Sequence, residues 1–425
     1  MRTNTCRERN WGMAEIVQRL WRHFARQEPF GKDAPSFFAE LAERAPVVRF
    51  DGMWVISGYD LVTRLCTHPG FPMAAPVFQE NVRRDNPQFV RFFSGTMSVR
   101  AAEEHQRLRS VLTGAFSGRR LAALRGRIDE VVAELLAEPL RRGEAEFVAD
   151  IATPLPARVT AVLLGIPAAD RDLVTARATG MMNQLAAGFL AETHPEAGPP
   201  ITAAEFAELR EYVAGQLARR RAEPAEDLIG HLAQAQQDGK LSADEAVDMV
   251  LLLFMTGLDT VTAALANTLV VLSERPEIAA ALAADEQCAD RVFAEAIRLR
   301  TPVAFGSRQV THDLSVGTLD FKAGDTVILA FAAANLDPRK FADPLEFRWD
   351  RPITGNVAFG HGSYYCLGSA LAAMTAQSLL QAVHHRLPTP SRPLAELPWR
   401  QSLAFPTPRV LPVTFAPALA ESGAR

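Results

Sequence analysis

Cysteine is scarce in this sequence: there are four, Cys6, Cys66, Cys288 and Cys366, far apart and without a C-x-x-C pair. That excludes a disulfide framework and a zinc knuckle, and it suits a reducing compartment. A surplus of positive charge is also missing. With 45 Lys and Arg against 49 Asp and Glu the formal net charge is -4, so the basic surface of a nucleic-acid binder is absent globally. The first residues, MRTNTCRERNWGMAEIVQRLWRHF, are charged and amphipathic and lack the apolar centre of a secretion signal, so a cytoplasmic protein is expected. Internal repeats and low-complexity tracts are lacking too, apart from an enrichment in alanine.

One run, VDMVLLLFMTGLDTVTAALANTLVVL from Val247 to Leu272, could pass for a membrane span. It carries Asp248, Asp259 and several threonines, and an ionised carboxylate in mid-bilayer is costly. It reads instead as a long helix through a protein core, and no membrane span is expected.

What is present is a 48% hydrophobic, 22% charged chain of 425 residues, enough for two ordinary domains or one large domain around a big buried ligand. Short β-like runs, VVRF and MWVIS, flank Asp51-Gly52, which reads as a hairpin turn. Helical periodicity then predicts helices over 105–116, 119–137, 168–190, 203–222, 243–273 and 276–300. The Pro- and Gly-rich HPEAGPPIT, residues 194–202, reads as an exposed loop suited to a lid. SVGTLDFKAGDTVILA turns β-like again, and AANLDPRKFADPLEFRWDRP is irregular. The fold class expected is mainly α with a minor antiparallel β region.

Near the end runs AFGHGSYYCLGSALAAM, with Cys366 between a glycine-bearing loop and an alanine-rich helix. A thiolate that binds metal needs a lowered pKa, which a helix start favours through its free N–H groups and dipole. Gly360, Gly362 and Gly368 suit a loop that takes positive φ, approaches a flat ligand and aims N–H groups at the sulfur. The plain alternative is a buried structural cysteine after a turn.

The run Phe359-Gly360-x-Gly362-x-x-x-Cys366-x-Gly368 resembles the haem-binding signature of the cytochrome P450 family, the haem-thiolate monooxygenases, in their soluble bacterial form. Further motifs stand in the family's order, over roughly residues 45–415. Thr256-Gly257-Leu258-Asp259-Thr260 resembles the oxygen-activation motif, in which Thr260 would hydrogen-bond activated dioxygen and Asp259 would feed protons. Glu295-x-x-Arg298 matches the family's ion pair, one helical turn apart, and Arg351 matches its third member. His105, Arg109 and Arg308 match positions that hold the haem propionates.

Two positions depart from the family. Tyr364 stands where His or Arg is usual; it brings one neutral donor and no charge, which implies an altered propionate environment and a lower reduction potential. Leu336 stands in AANLDP where arginine is usual, a change expected to be tolerated.

The resemblance implies one domain, 1–425, with residues 1–25 a loosely ordered N-terminal extension. Haem b (iron protoporphyrin IX) would lie between the long core helix and the helix after Cys366. The implied function is mono-oxygenation with O2 of a hydrophobic small molecule, as hydroxylation, epoxidation or oxidative coupling in secondary-metabolite tailoring. Electrons from NAD(P)H would come through separate ferredoxin reductase and ferredoxin partners, docking at arginines such as Arg107, Arg119 and Arg120. The implied substrate pocket is lined by Phe92, Phe93, Leu253, Thr256, Val303, Ala304, Phe305, Leu403, Ala404 and Phe405. Two other readings are a peroxide-driven haem-thiolate enzyme, which would not need Asp259 and Thr260, and a non-catalytic haem sensor or carrier.

Overall fold

The computed structural model describes residues 4–25, 28–50, 53–74, 79–186, 198–275, 277–285, 288–352 and 354–416. The expected turn at Asp51-Gly52 and the first four residues of the expected lid, 194–197, lie outside the described residues. The chain forms two compact units. The first comprises Met1–Phe71, Val132–Ala152 and Thr260–Arg425, and the second Pro72–Val131 and Thr153–Asp259.

In the first unit a four-stranded sheet runs in the order Val47–Phe50, Met53–Ile56, Thr326–Ala330, Phe305–Gln309. The sheet is mixed rather than antiparallel: Met53–Ile56 pairs parallel to Thr326–Ala330, and its other two pairings are antiparallel. That parallel pair joins segments far apart in sequence, so no local pattern announces it.

Strand alternation divides two cores across this sheet. Val55, Ile328, Ala330 and Phe305 face a cluster built with the helix Ala34–Arg44, including Phe30, Phe37 and Phe38. Trp54, Ile56, Val327 and Leu329 face the other cluster, with Val62, Leu65 and Cys66 from the helix Tyr59–Thr67. Arg308 is paired with Val327 and therefore lies on this second face, three residues and one pleat parity from Phe305. Gly306 is dictated by packing, since a Cβ there would meet the Phe331 ring at 2.6 Å.

Residues expected as a loose extension form the helix Asn4–Phe24, with Ile16 and Leu20 buried in the first core. His23 on this helix stacks on Phe30 with centroids 4.0 Å apart, meets Phe37 edge-on and bonds through Nδ1 to the Glu28 carbonyl. Burial pushes its pKa below the usual histidine value, an effect reinforced by Arg19 and Arg22 and opposed by the bond and the charge of Glu28. A lowered folded-state pKa contributes stability that is present above the unfolded value, about 6.5, and lost as pH falls through the folded one. Urea midpoints measured from about pH 8 to about pH 5 should therefore fall more steeply for the wild type than for His23→Gln. Parallel profiles would assign the slope to other groups.

The second unit is built of helices, among them Pro87–Gly95, Ala102–Thr113, Pro154–Leu164, Arg171–Leu185, Ala203–Ala222, Leu228–Gln237 and Ala243–Thr256. The last three of these open with side-chain caps. Thr202 and Ser242 form reciprocal capping boxes with Glu205 and Glu245, and Asp227 accepts from the Gly230 N–H. Arg210 pairs with Asp248 and Asp244, tying Ala203–Ala222 to Ala243–Thr256.

The predicted helix over 243–273 is interrupted. Ala243–Thr256 ends at Gly257 and Asp259–Ser273 resumes after Leu258. The Thr256 hydroxyl bonds back to the Leu252 carbonyl at 2.8 Å, and Gly257 contributes little helix propensity, so the ladder is weakest there. The span Ala243–Ser273 is the one described stretch long and apolar enough to cross a membrane, yet 67% of its apolar window is buried inside the protein.

Candidate active site

The Cys366 loop is built by backbone geometry and by long-range polar ties. Gly360 and Gly362 take φ of +75° and +71°, where a Cβ is strained. At Gly362 a Cβ would also lie 2.9 Å from Thr67 Cγ2 and 3.0 Å from the Cys66 carbonyl, so the loop presses on the helix Tyr59–Thr67. Gly368 differs: its φ is -84°, as N-cap of the helix Ser369–Val383, and a Cβ would meet Cys366 Sγ at an ordinary 4.0 Å. Its expected positive φ is not found. The Cys366 N–H donates to the Phe359 carbonyl at 2.8 Å, and the Phe359 ring meets Tyr365 edge-on.

Two asparagines that the sequence did not single out hold the loop's entry. Asn335, fully buried, accepts from the Val357 N–H at 2.8 Å and donates to Thr301 Oγ1. Asn356 donates to the Ala294 carbonyl and accepts from the Ala358 N–H. Asn335 lies in AANLDP, one residue before the atypical Leu336, which is itself buried in the apolar core of the first unit. A leucine there fits its surroundings.

Glu295, Arg298 and Arg351 come together as the spacing implies. Glu295 accepts from Arg298 Nε and Nη2, both at 2.7 Å, from Arg351 Nε at 3.2 Å and from the Arg348 N–H at 3.0 Å. Arg298 is 1% exposed and Glu295 5%. The remaining Arg298 donors reach the carbonyls of Asn335, Pro344 and Glu346, so the irregular stretch is fastened to the helix Cys288–Leu299 by one guanidinium.

Arg308 is 2% exposed, and its Nε is buried without a partner. Its Nη1 donates to the Ser307 carbonyl at 2.9 Å, its Nη2 lies 3.9 Å from Cys66 Sγ, and its guanidinium sits 5.3 Å from the centroid of the Tyr364 ring. Burial lowers its pKa, and no carboxylate is among the groups that oppose this. A desolvated cation with an unmet donor is an anion-seeking arrangement. Placed beside a loop that presents Cys366, it fits a flat, dianionic, thiolate-ligated group such as haem. Cys366 would be the iron ligand, and Arg308 would meet a propionate.

The other expected site residues lie as follows. Thr260 opens the first unit's share of the interrupted helix, while Thr256, Gly257 and Asp259 belong to the second unit. A Cβ at Gly257 would crowd Thr160 Oγ1 at 3.1 Å and the Leu253 carbonyl at 3.2 Å. His105, buried, donates from Nδ1 to the Met97 carbonyl at 2.8 Å, and Arg109 is half-buried on the same helix. Arg107 pairs with Glu245 and Glu104 in the second unit and stays exposed, as do Arg119 and Arg120.

Among the expected pocket residues, two are occupied elsewhere. Phe305 packs on Phe24, Phe30 and Phe38, because its strand parity sends it into the core opposite Arg308. Phe92 is buried against Phe89 and Phe206. Ala304 is buried and bonded through its N–H to the Ala404 carbonyl, while Val303, Leu403, Ala404 and Phe405 in the first unit and Phe93 and Leu253 in the second stay half-buried.

Comparison with known proteins agrees with this geometry. The family described as Cytochrome P450 matches residues 206–387. Cyclomarin C epoxidase CymV of Salinispora arenicola is 32% identical over 360 residues, 84% of this chain and 89% of that protein. The 6-deoxyerythronolide B hydroxylase of Saccharopolyspora erythraea is 30% identical over 388 residues, covering 86% and 92%. Among solved structures, the bacillaene polyketide synthase cytochrome P450 PksS of Bacillus subtilis 168 superposes with a TM-score of 0.79 at 25% identity, over 91% of this chain and 98% of that one. The chain therefore belongs to the cytochrome P450 family, a haem-iron monooxygenase that uses O2.

Proposed function

We propose that this monooxygenase hydroxylates or epoxidises a hydrophobic secondary metabolite of polyketide or peptide type. Its electrons would come from NAD(P)H through a separate ferredoxin reductase and ferredoxin, in the cytoplasm. The observation that carries the reading is the Cys366 loop beside a buried, anion-seeking Arg308. The relatives support the substrate class: their names are those of an epoxidase of cyclomarin C and a hydroxylase of 6-deoxyerythronolide B. We take the whole chain as one functional domain and the cofactor as haem b.

When bound, haem supplies the reduction of dioxygen and the transfer of one oxygen atom to substrate. The chain's own residues bind, orient and protonate. Cys366 would hold the haem iron through its thiolate, its backbone fixed by the N–H bond to the Phe359 carbonyl. Arg308 neutralises a propionate, with His105 and Arg109 assigned the same task from the helix Ala102–Thr113. His105 Nδ1 already donates to Met97, so its Nε2 donates to a carboxylate only in the imidazolium form. Thr260 holds a proton at Oγ1 by hydrogen bonding, and Asp259 relays protons from its carboxylate. The half-buried apolar residues Val303, Leu403, Phe93 and Leu253 are the ones assigned to the substrate.

The test is an absorption titration of the ferric protein with macrolide and cyclic-peptide scaffolds, followed by turnover with ferredoxin, reductase and NADPH. A scaffold that shifts the haem from low to high spin and yields a product one oxygen atom heavier supports the reading. Peroxide-driven turnover that outpaces the partner-driven route would replace it with a peroxide-using enzyme. Thr260→Ala should lower partner-driven product formation by about a hundredfold while sparing any peroxide-driven turnover. Equal losses on both routes would remove Thr260 from proton delivery.

A further inference from the structure

Tyr364 departs from the family pattern, and the structure assigns its side chain a different task from the single hydrogen bond expected of it. We infer that Tyr364 is a positioning residue: its ring face holds the Arg308 guanidinium in the orientation that meets the haem carboxylate. The inference rests on the reading that Arg308 binds the haem.

Arg308 projects from a strand onto the same sheet face as Trp54 and Val327, and its guanidinium is out of water. Its contacts there are few. Nη1 turns back to the carbonyl of the adjacent Ser307, and the sulfur of Cys66 at 3.9 Å is a weak acceptor. The Tyr364 ring, 5.3 Å away at its centroid, offers an electron-rich face, and a desolvated cation gains most from such a face.

The ring is itself rigidly placed. Tyr364 closes the short helical turn Gly362–Tyr364, whose first residue is pressed against Cys66 and Thr67. Cys66 therefore borders both the guanidinium and the turn that carries the ring. A histidine at 364 would add a second donor to the carboxylate. The tyrosine instead stabilises Arg308, with its Nε left to donate.

The experiment measures the rate of haem release from the loaded protein to an excess of apomyoglobin, in a double-mutant cycle. Tyr364→Leu should speed release about five- to thirtyfold, the range of a cation–π contact from the exposed to the desolvated limit. Tyr364→Phe keeps the ring face and should stay within about twofold of the wild type. Arg308→Leu should speed release on its own, and adding Tyr364→Leu to it should change nothing further.

A loss with Tyr364→Phe as large as with Tyr364→Leu would overturn the inference in favour of the hydroxyl. Additive effects in the cycle would overturn it too, because the two residues would then act separately. If Arg308→Leu leaves release unchanged, it is the assignment of Arg308 to the haem that fails, and this inference with it. If Arg308→Leu acts and Tyr364→Leu does not, only the role of Tyr364 falls.

Discussion

Cys366→Ser should yield a folded protein that lacks the thiolate signature in its ferrous carbonyl spectrum and has no measurable monooxygenation. The loop survives because its determinants are elsewhere. The Cys366 N–H to Phe359 carbonyl bond is backbone, Gly360 and Gly362 keep their positive φ, and Asn335 and Asn356 continue to hold the entry. What changes is the ligand atom. Serine's hydroxyl is far less acidic and less polarisable than a thiol, so it supplies neither a stable anionic ligand nor the electron donation that favours O–O cleavage. Thermal unfolding and far-ultraviolet circular dichroism check the fold, the carbonyl spectrum checks the ligand, and product analysis checks turnover. A thiolate-type spectrum retained in Cys366→Ser would mean that another cysteine binds the iron, with Cys66 and Cys288 both buried.

The second large effect is expected at Arg298, where even lysine fails. The guanidinium has five N–H donors, and the structure offers acceptors at Glu295 Oε1 and Oε2 and at the carbonyls of Asn335, Pro344 and Glu346. An ammonium has three donors at one point and cannot span that set. Arg298→Lys strands buried carbonyls, and Arg298→Leu leaves the Glu295 carboxylate with Arg351 alone as a cationic partner. Breaking a buried pair in this way costs about 3–5 kcal/mol. That is a large share of the stability of an ordinary domain. Both variants should give little soluble, haem-loaded protein and a urea midpoint lowered accordingly. Glu295→Gln should behave similarly, because it leaves Arg298 buried without its anion. A near-normal midpoint and haem content in Arg298→Lys would show that the carbonyl contacts are dispensable.

The glycine turns of the Cys366 loop and the ion pair at Glu295 and Arg298 were legible because they are local. A loop signature spans ten residues, and an i, i+3 pair shares a helix face whatever surrounds it. Glycines at 360 and 362 announced positive φ, whereas Gly368 carried the same letter into an ordinary conformation, since a glycine permits a left-handed backbone without requiring it. Helix Ala203–Ala222 matched its periodicity to the residue, helped by the capping box at Thr202. The expected helix over 243–273 did not survive intact, because apolar periodicity continues through Gly257 while the backbone ladder does not.

Sequence alone thus determined the family and the ion pair of Glu295 and Arg298, both written in short spacings of chemically specific residues. Tertiary structure decided the rest. Strand parity sent Phe305 into a core and Arg308 to the opposite face, and the parallel pairing of Met53–Ile56 with Thr326–Ala330 created those faces. It also gave Arg298 its three carbonyls, Asn335 its loop and Arg308 its tyrosine. These contacts join residues tens to hundreds of positions apart, and such pairings are set by how packed layers bring distant segments together, which no local pattern encodes.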